Sequence, residues 1–169
     1  MRRTTRLLQF SGKITQRYMD MPPEVLVATC IEQGTVYHYE AEFTNHDGSM
    51  YRGNRFFIVL NVDPKTDEVI VLTTITKQVT RVETYIARVG EAPETAVRLL
   101  PADFSELREE SIVNCNSVHS STREKIVEKL KGEGAVVFFE KIPKTILEHI
   151  IAGVMKSNQV PPEFKKLIV

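Results

Sequence analysis

From Thr35 the chain alternates with a period of two. Tyr37, Tyr39, Ala41 and Phe43 fall on one side and Val36, His38, Glu40 and Glu42 on the other, the pattern of a strand with one buried face. Asn45-His46-Asp47-Gly48-Ser49 has the composition of a loop. Arg55 to Val62 is a nearly continuous apolar run, Asp63 to Asp67 is turn chemistry around Pro64, and Glu68 to Thr74 is a second apolar run. Two such runs joined by a short polar turn predict an antiparallel hairpin of central strands. Further strands are expected at 84–89, 97–100 and 111–118.

Helical signals lie at the two ends. Pro22-Pro23-Glu24 marks a helix start, with proline in the first turn and an acid at the positive end of the dipole. Val25 to Gln33 would follow, with Gly34 as its stop; the β-branched content of this stretch also fits a strand. Ser121-Thr122-Arg123-Glu124 has capping-box spacing, which predicts a helix from Thr122 to Lys131, closed by Gly132 and Gly134. Residues 135–139 are too short and apolar to assign. From Lys144 to Ser157, Ile146, Leu147, Ile150, Ile151, Val154 and Met155 recur at helical spacing. Strands early and helices late predict an α+β fold built on a small antiparallel sheet or barrel.

Composition narrows the function classes. A chain of 169 residues suits one domain, read here as a basic extension over residues 1–33 and a single domain over 34–169. Lys plus Arg is 22 and Asp plus Glu is 22, which excludes a uniformly basic nucleic-acid binder and leaves only a local patch. Residues 1–19 carry Arg2, Arg3, Arg6, Lys13 and Arg17 and no acid. Ser11, Gly12 and Lys13 interrupt the apolar core that a secretory signal would need there. The stretch therefore reads as a solvated arm or as an arm facing phosphates or a partner. Two cysteines, Cys30 and Cys115, make neither a disulfide scaffold nor a four-cysteine zinc site, and a cytoplasmic location is expected. No apolar run approaches the ~20 residues of a membrane span.

The common phosphate, dinucleotide, zinc-protease and serine-hydrolase motifs are missing. The four histidines are too scattered to specify a metal site, so neither metal nor cofactor is expected. Polar residues gather instead at the ends of the two central strands. Gly53-Asn54-Arg55 opens one, and Thr73, Thr74, Thr76 and Gln78 close the next. With the turn at Pro64, Arg55 and Thr76 fall at the same open end of the hairpin. An arginine fork beside a threonine hydroxyl suits an oxyanion or phosphate. The same residues also fit a surface ion pair and good strand formers.

Residues 53–60 (GNRFFIVL) and 68–78 (EVIVLTTITKQ) resemble the core of the MazF/PemK/Kid toxins. That family carries a G-x-R-P opening onto an apolar strand, a turn, and a second strand ending in an I-T or V-T step. Residues 107–126 (LREESIVNCNSVHSSTREKI) resemble its S-x-V stretch and the following short helix. The likeness spans roughly residues 34–157. It implies a small SH3-like antiparallel barrel, usually homodimeric, that cleaves single-stranded RNA without a metal and is restrained by an antitoxin protein. By the resemblance Arg55 is the catalytic arginine and Thr76 the active-site threonine. Phe56 stands where the family has proline, and Asn114 and Asn116 stand where some members have arginine and aspartate. His119, in place of the arginine of the family's R-T step, and His46, in the loop before Arg55, are the candidates for proton transfer. Gly53, Asn54, Gln78, Asn114, Asn116 and Ser120 are the candidate RNA contacts.

Two functions follow as expectations. One is a toxin-type endoribonuclease acting through attack of the 2′-hydroxyl. The other is a non-catalytic RNA-binding or protein-binding member of the same barrel class, which the two asparagines favour. Readers of single-stranded RNA stack bases on aromatic rings, and Tyr37, Tyr39, Tyr51 and Phe56 are the candidates. His38 and His149 are read as structural.

Overall fold

The computed structural model describes residues 21–44 and 48–169. The basic arm over residues 1–19 and His46 lie outside the described residues. The helix expected near Pro22 is α1 (Pro23–Cys30). It ends four residues before Gly34, and Val27 and Ile31 enter the core, so this part of the segment read as an extension packs with the domain. The alternating stretch is β1 (Val36–Thr44), and the two apolar runs are β2 (Met50–Val59) and β3 (Ile70–Thr76). Two later strands, β4 (Ala96–Leu99) and β5 (Ser111–Ser121), also fall where the pattern puts them.

Residues 84–89 are a correction. They belong to α2 (Val79–Val89), a helix rather than a strand. Val79, Val82, Ile86 and Val89 follow helical spacing, which a six-residue window of β-branched residues hides. Gly90 ends the helix in the left-handed conformation (φ 74°), its N–H donating to the carbonyls of Ile86 and Ala87. The capping box is displaced by one residue: Thr122, not Ser121, caps α3 (Arg123–Leu130) by accepting from the Lys125 N–H. Residues 136–138 form the short strand β6. The late amphipathic stretch is α4 (Lys144–Lys156), and α5 (Pro162–Ile168) follows the Pro161-Pro162 break.

The six strands form one antiparallel sheet in the order β4-β5-β3-β2-β1-β6. Among the described residues no pairing joins β4 to β6, so this sheet is open and not closed into a barrel. Each face has its own core. Tyr37, Tyr39, Phe57, Val59, Ile70 and Leu72 pack under α1 and α3, with Val27, Ile31, Ile126, Val127 and Leu130. Val36, Ile58, Leu60, Val71, Ile75 and Val113 pack under α4 and α5, with Leu147, Ile150, Val154 and Ile168. A central strand sealed on both sides needs an unbroken apolar run, and residues 57–60 supply one. Among the described residues no helix is long and apolar enough to cross a membrane.

The β2–β3 connection hangs on Asn61, which is fully buried. Its Nδ2 donates to Asp67 Oδ2 (2.8 Å) and the Val69 carbonyl (2.8 Å), and its Oδ1 accepts from the Val71 N–H (2.6 Å). Arg123 closes the outside of the turn by donating to the carbonyls of Pro64 and Asp67. Replacing Asn61 with alanine strands buried backbone groups at the turn, and the expected loss is about 2–3 kcal/mol. A urea midpoint unchanged by Asn61→Ala would contradict this account of the turn.

Candidate functional site

Strand β2 is longer than the sheet around it. It pairs with β1 from Met50 to Ile58 but with β3 only from Phe56 to Val59. Residues 50–55 therefore form, with 39–44, a two-stranded ribbon that overhangs β3. A free ribbon in water is marginal, and this one is held by its cross-strand rings. Tyr39 stacks on Phe57 (centroids 4.4 Å apart) and Phe43 lies 6.3 Å from Phe57.

Arg55 sits where the ribbon leaves the sheet, paired with Tyr39. Phe56 pairs with Ile75, so Arg55 and Thr76 are each the next residue along, on one face at one end, as hairpin geometry predicts. The guanidinium lies 4.7 Å from the centroid of Tyr51 and 5.9 Å from that of Phe43, a cation–π arrangement. Gly53 makes this possible, because a Cβ there would lie 2.6 Å from the Tyr51 hydroxyl. Tyr51 thus folds back across Gly53 onto Arg55. Among the described residues the only hydrogen bond of the Arg55 side chain is from Nη1 to the Asn54 carbonyl (3.2 Å), and no carboxylate pairs with it. Arg52, three residues away, pairs with Glu40 (2.9 Å) and Glu42 (3.9 Å) on the other face.

His119 also stands against Phe43, with ring centroids 5.5 Å apart and a T-shaped contact; Phe57 lies 6.3 Å from the same imidazole. His119 pairs with Leu72 across β3 and β5. Burial lowers its pKa below the ordinary histidine value, so the ring is neutral at pH 7 and able to accept a proton. Phe43, Phe57, Tyr39, Leu72 and His119 line a groove of about 520 Å³ whose other wall is α3, with Ser120 and Ser121 at its end. Glu42, Glu124 and Glu128 line it together with Lys125 and Lys129, so the groove carries no uniformly positive field.

Thr76 and Gln78 make local contacts at that end of the sheet, and the other expected site residues lie elsewhere. Thr76 Oγ1 accepts from the Gln78 N–H (3.3 Å), and Gln78 accepts through its side chain from Arg81. Asn54 alternates to the opposite face from Arg55 and lines a separate hollow with Glu40 and Gly132. Asn114 and Asn116 lie in the irregular part of β5, where its register with β3 shifts. Asn116 is buried and donates to Thr95 (2.8 Å) and to Asn114 Oδ1 (3.2 Å), a structural tie to the turn before β4. Of the stacking candidates, Tyr37 and Tyr39 are buried in the core. Phe56 packs against His38, Phe104 and Phe138 on the other face. Only Tyr51 is exposed. His38 is half-buried there, its pKa lowered by desolvation, and His149 is exposed on α4.

Among the described residues no cluster of three histidine, cysteine or carboxylate side chains is placed to hold a metal ion. A scan against protein-family models and a search of curated proteins both find no match to this chain. The site stands on its own geometry.

Burial of two histidines in neutral form has a consequence for stability. Below about pH 6.5 the unfolded chain binds protons that the folded chain refuses at His38 and His119. Their contribution is constant above that value, and stability falls as pH drops toward their lowered folded values. The urea midpoint should therefore fall between pH 7.5 and 5.5, and the fall should shrink in His119→Phe. An equal fall in wild type and variant would show that His119 is not held neutral by the fold.

Proposed function

We propose that this protein is a metal-independent endoribonuclease of the toxin type, acting on single-stranded RNA at the face that carries Arg55 and His119. The observation that carries the reading is the Arg55 guanidinium, held against two rings and free of any carboxylate among the described residues. A fork kept in place yet unneutralised is suited to the oxygens of a phosphodiester. His119, half-buried and with its pKa lowered by desolvation, takes the proton of the attacking 2′-hydroxyl. Arg55 and Thr76 bind the phosphoryl oxygens as negative charge grows on them. The leaving 5′-oxygen takes its proton from His46, the second acid–base group of the sequence reading, or from water. Ser120 lies where a flanking nucleotide would run along the groove. The reading brings with it a cytoplasmic homodimer and an inhibiting antitoxin laid over the groove. It takes the open sheet as a variant of the small SH3-like barrel.

One observation favours a second reading. Glu42, Glu124 and Glu128 beside the aromatic floor suit a basic peptide better than a polyanion, and the groove would then hold a protein partner without turnover.

Rates of cleavage of a single-stranded RNA oligonucleotide in EDTA separate the two. Removing one fixed donor to a developing oxyanion costs about 10²–10³-fold, so Arg55→Ala should lose at least that much and Arg55→Lys less. His119→Ala should lose about 10²–10⁴-fold, the range for a general base. Thr76→Val should fall by about tenfold, one hydrogen bond's worth. Equal rates for wild type and Arg55→Ala, with both folded, would sink the proposal.

A further inference from the structure

Resting on the nuclease reading above, we infer that Tyr51 is a positioning residue that holds the Arg55 guanidinium in its reactive place, and that Gly53 is the vacancy that lets it do so. Tyr51, Gly53 and Arg55 alternate along one face of β2, in the overhang that only β1 supports. An arginine there has four rotatable bonds and, among the described residues, one hydrogen bond, to a carbonyl of its own strand. Among the described residues no second polar group holds the plane of the fork. The Tyr51 ring does, at 4.7 Å from the guanidinium carbon, with Phe43 beneath at 5.9 Å. A ring suits this role better than a carboxylate would. It orients the cation by its π face while leaving charge and N–H donors for a phosphate.

Glycine at 53 looks wasteful in a strand, since it weakens the ladder and packs nothing. Here any side chain would occupy the space of the ring: a Cβ would meet the Tyr51 hydroxyl at 2.6 Å and its Cζ at 2.9 Å. Tyr51 is itself 41% exposed and is absent from both cores, so its position over Gly53 is not explained by core packing. The ring lies against the one arginine of this face that lacks an ion pair with a described residue. A positioning role accounts together for the glycine, the exposed tyrosine and an arginine with no carboxylate partner among the described residues.

The test is a variant set read by single-turnover cleavage, by RNA affinity and by the NMR resonance of the Arg55 Nε–H. Tyr51→Phe keeps the ring and should keep the rate. Tyr51→Leu keeps bulk without the π face and should lower the maximal rate about tenfold, or ~1.4 kcal/mol. Its melting temperature should be unchanged and its RNA affinity within about twofold, because the loss is of orientation and not of charge. Gly53→Ala should match Tyr51→Leu, and the double variant should be no worse than either, the non-additivity expected of residues acting through one contact. The Arg55 Nε–H should carry a ring-current shift in wild type and Tyr51→Phe and lose it in the other two. Cleavage by wild type with undiminished cleavage by Tyr51→Leu would overturn the positioning role and leave the nuclease reading standing. RNA left intact by wild type itself would overturn the nuclease reading and this role with it.

Discussion

Strand β2 has two halves under opposite constraints, and the rest of the molecule follows from that division. Residues 57–59 are sealed between helices on both faces, while 50–55 run out past β3 with only β1 beside them. The buried half anchors the register through apolar packing that a one-residue slip would invert. The overhanging half inherits that register without having to contribute to the core. It can therefore carry a glycine, an exposed tyrosine and an arginine with no carboxylate partner among the described residues, a set that a central strand would reject. The cross-strand rings of Tyr39, Phe43 and Phe57 join the halves, so Arg55 is placed by the same contacts that hold the ribbon to the sheet.

Arg55 stands at this boundary between dry and wet. A guanidinium further into the sheet would need a carboxylate to offset its desolvation, and one further out would be screened and mobile. Against two rings it remains half-solvated, with no carboxylate beside it among the described residues. His119 meets the same boundary from the β5 side, close enough to the apolar floor to remain neutral. Both groups lie against Phe43, the guanidinium 5.9 Å and the imidazole 5.5 Å from its ring centroid. The mixed charges of the α3 wall mean that affinity for an anion must come mainly from Arg55 and not from a general field.

Much of this order is legible in the residues. The period of two over 36–43, the apolar runs on either side of Pro64 and the stripe along α4 each bury a face that the pattern names. The shared end of Arg55 and Thr76 follows from hairpin geometry alone. What was hidden has physical reasons. Met50 to Asn54 show no apolar run, because the overhang has no second core to bury, so β2 looked shorter than it is. The alternation Tyr51-Gly53-Arg55 is the one signal of the stack in the sequence, and it is visible only if the strand begins before Gly53. The helix α2 was hidden because its apolar residues are β-branched and only Ile86 is buried. Asn116 read as an RNA contact, yet a buried amide bound to Thr95 has no donor to spare. The closure of the sheet depends on edge pairing between distant strands, which local pattern does not report.

The most direct measurement is the chemistry of the RNA ends left after incubation with the purified protein in EDTA, read by mass spectrometry. Attack by the 2′-hydroxyl under Arg55 and His119 predicts fragments ending in a 2′,3′-cyclic phosphate or its 3′-phosphate product, each facing a free 5′-hydroxyl. Intact RNA, or fragments with 5′-phosphates that form only when a divalent cation is restored, would contradict the account.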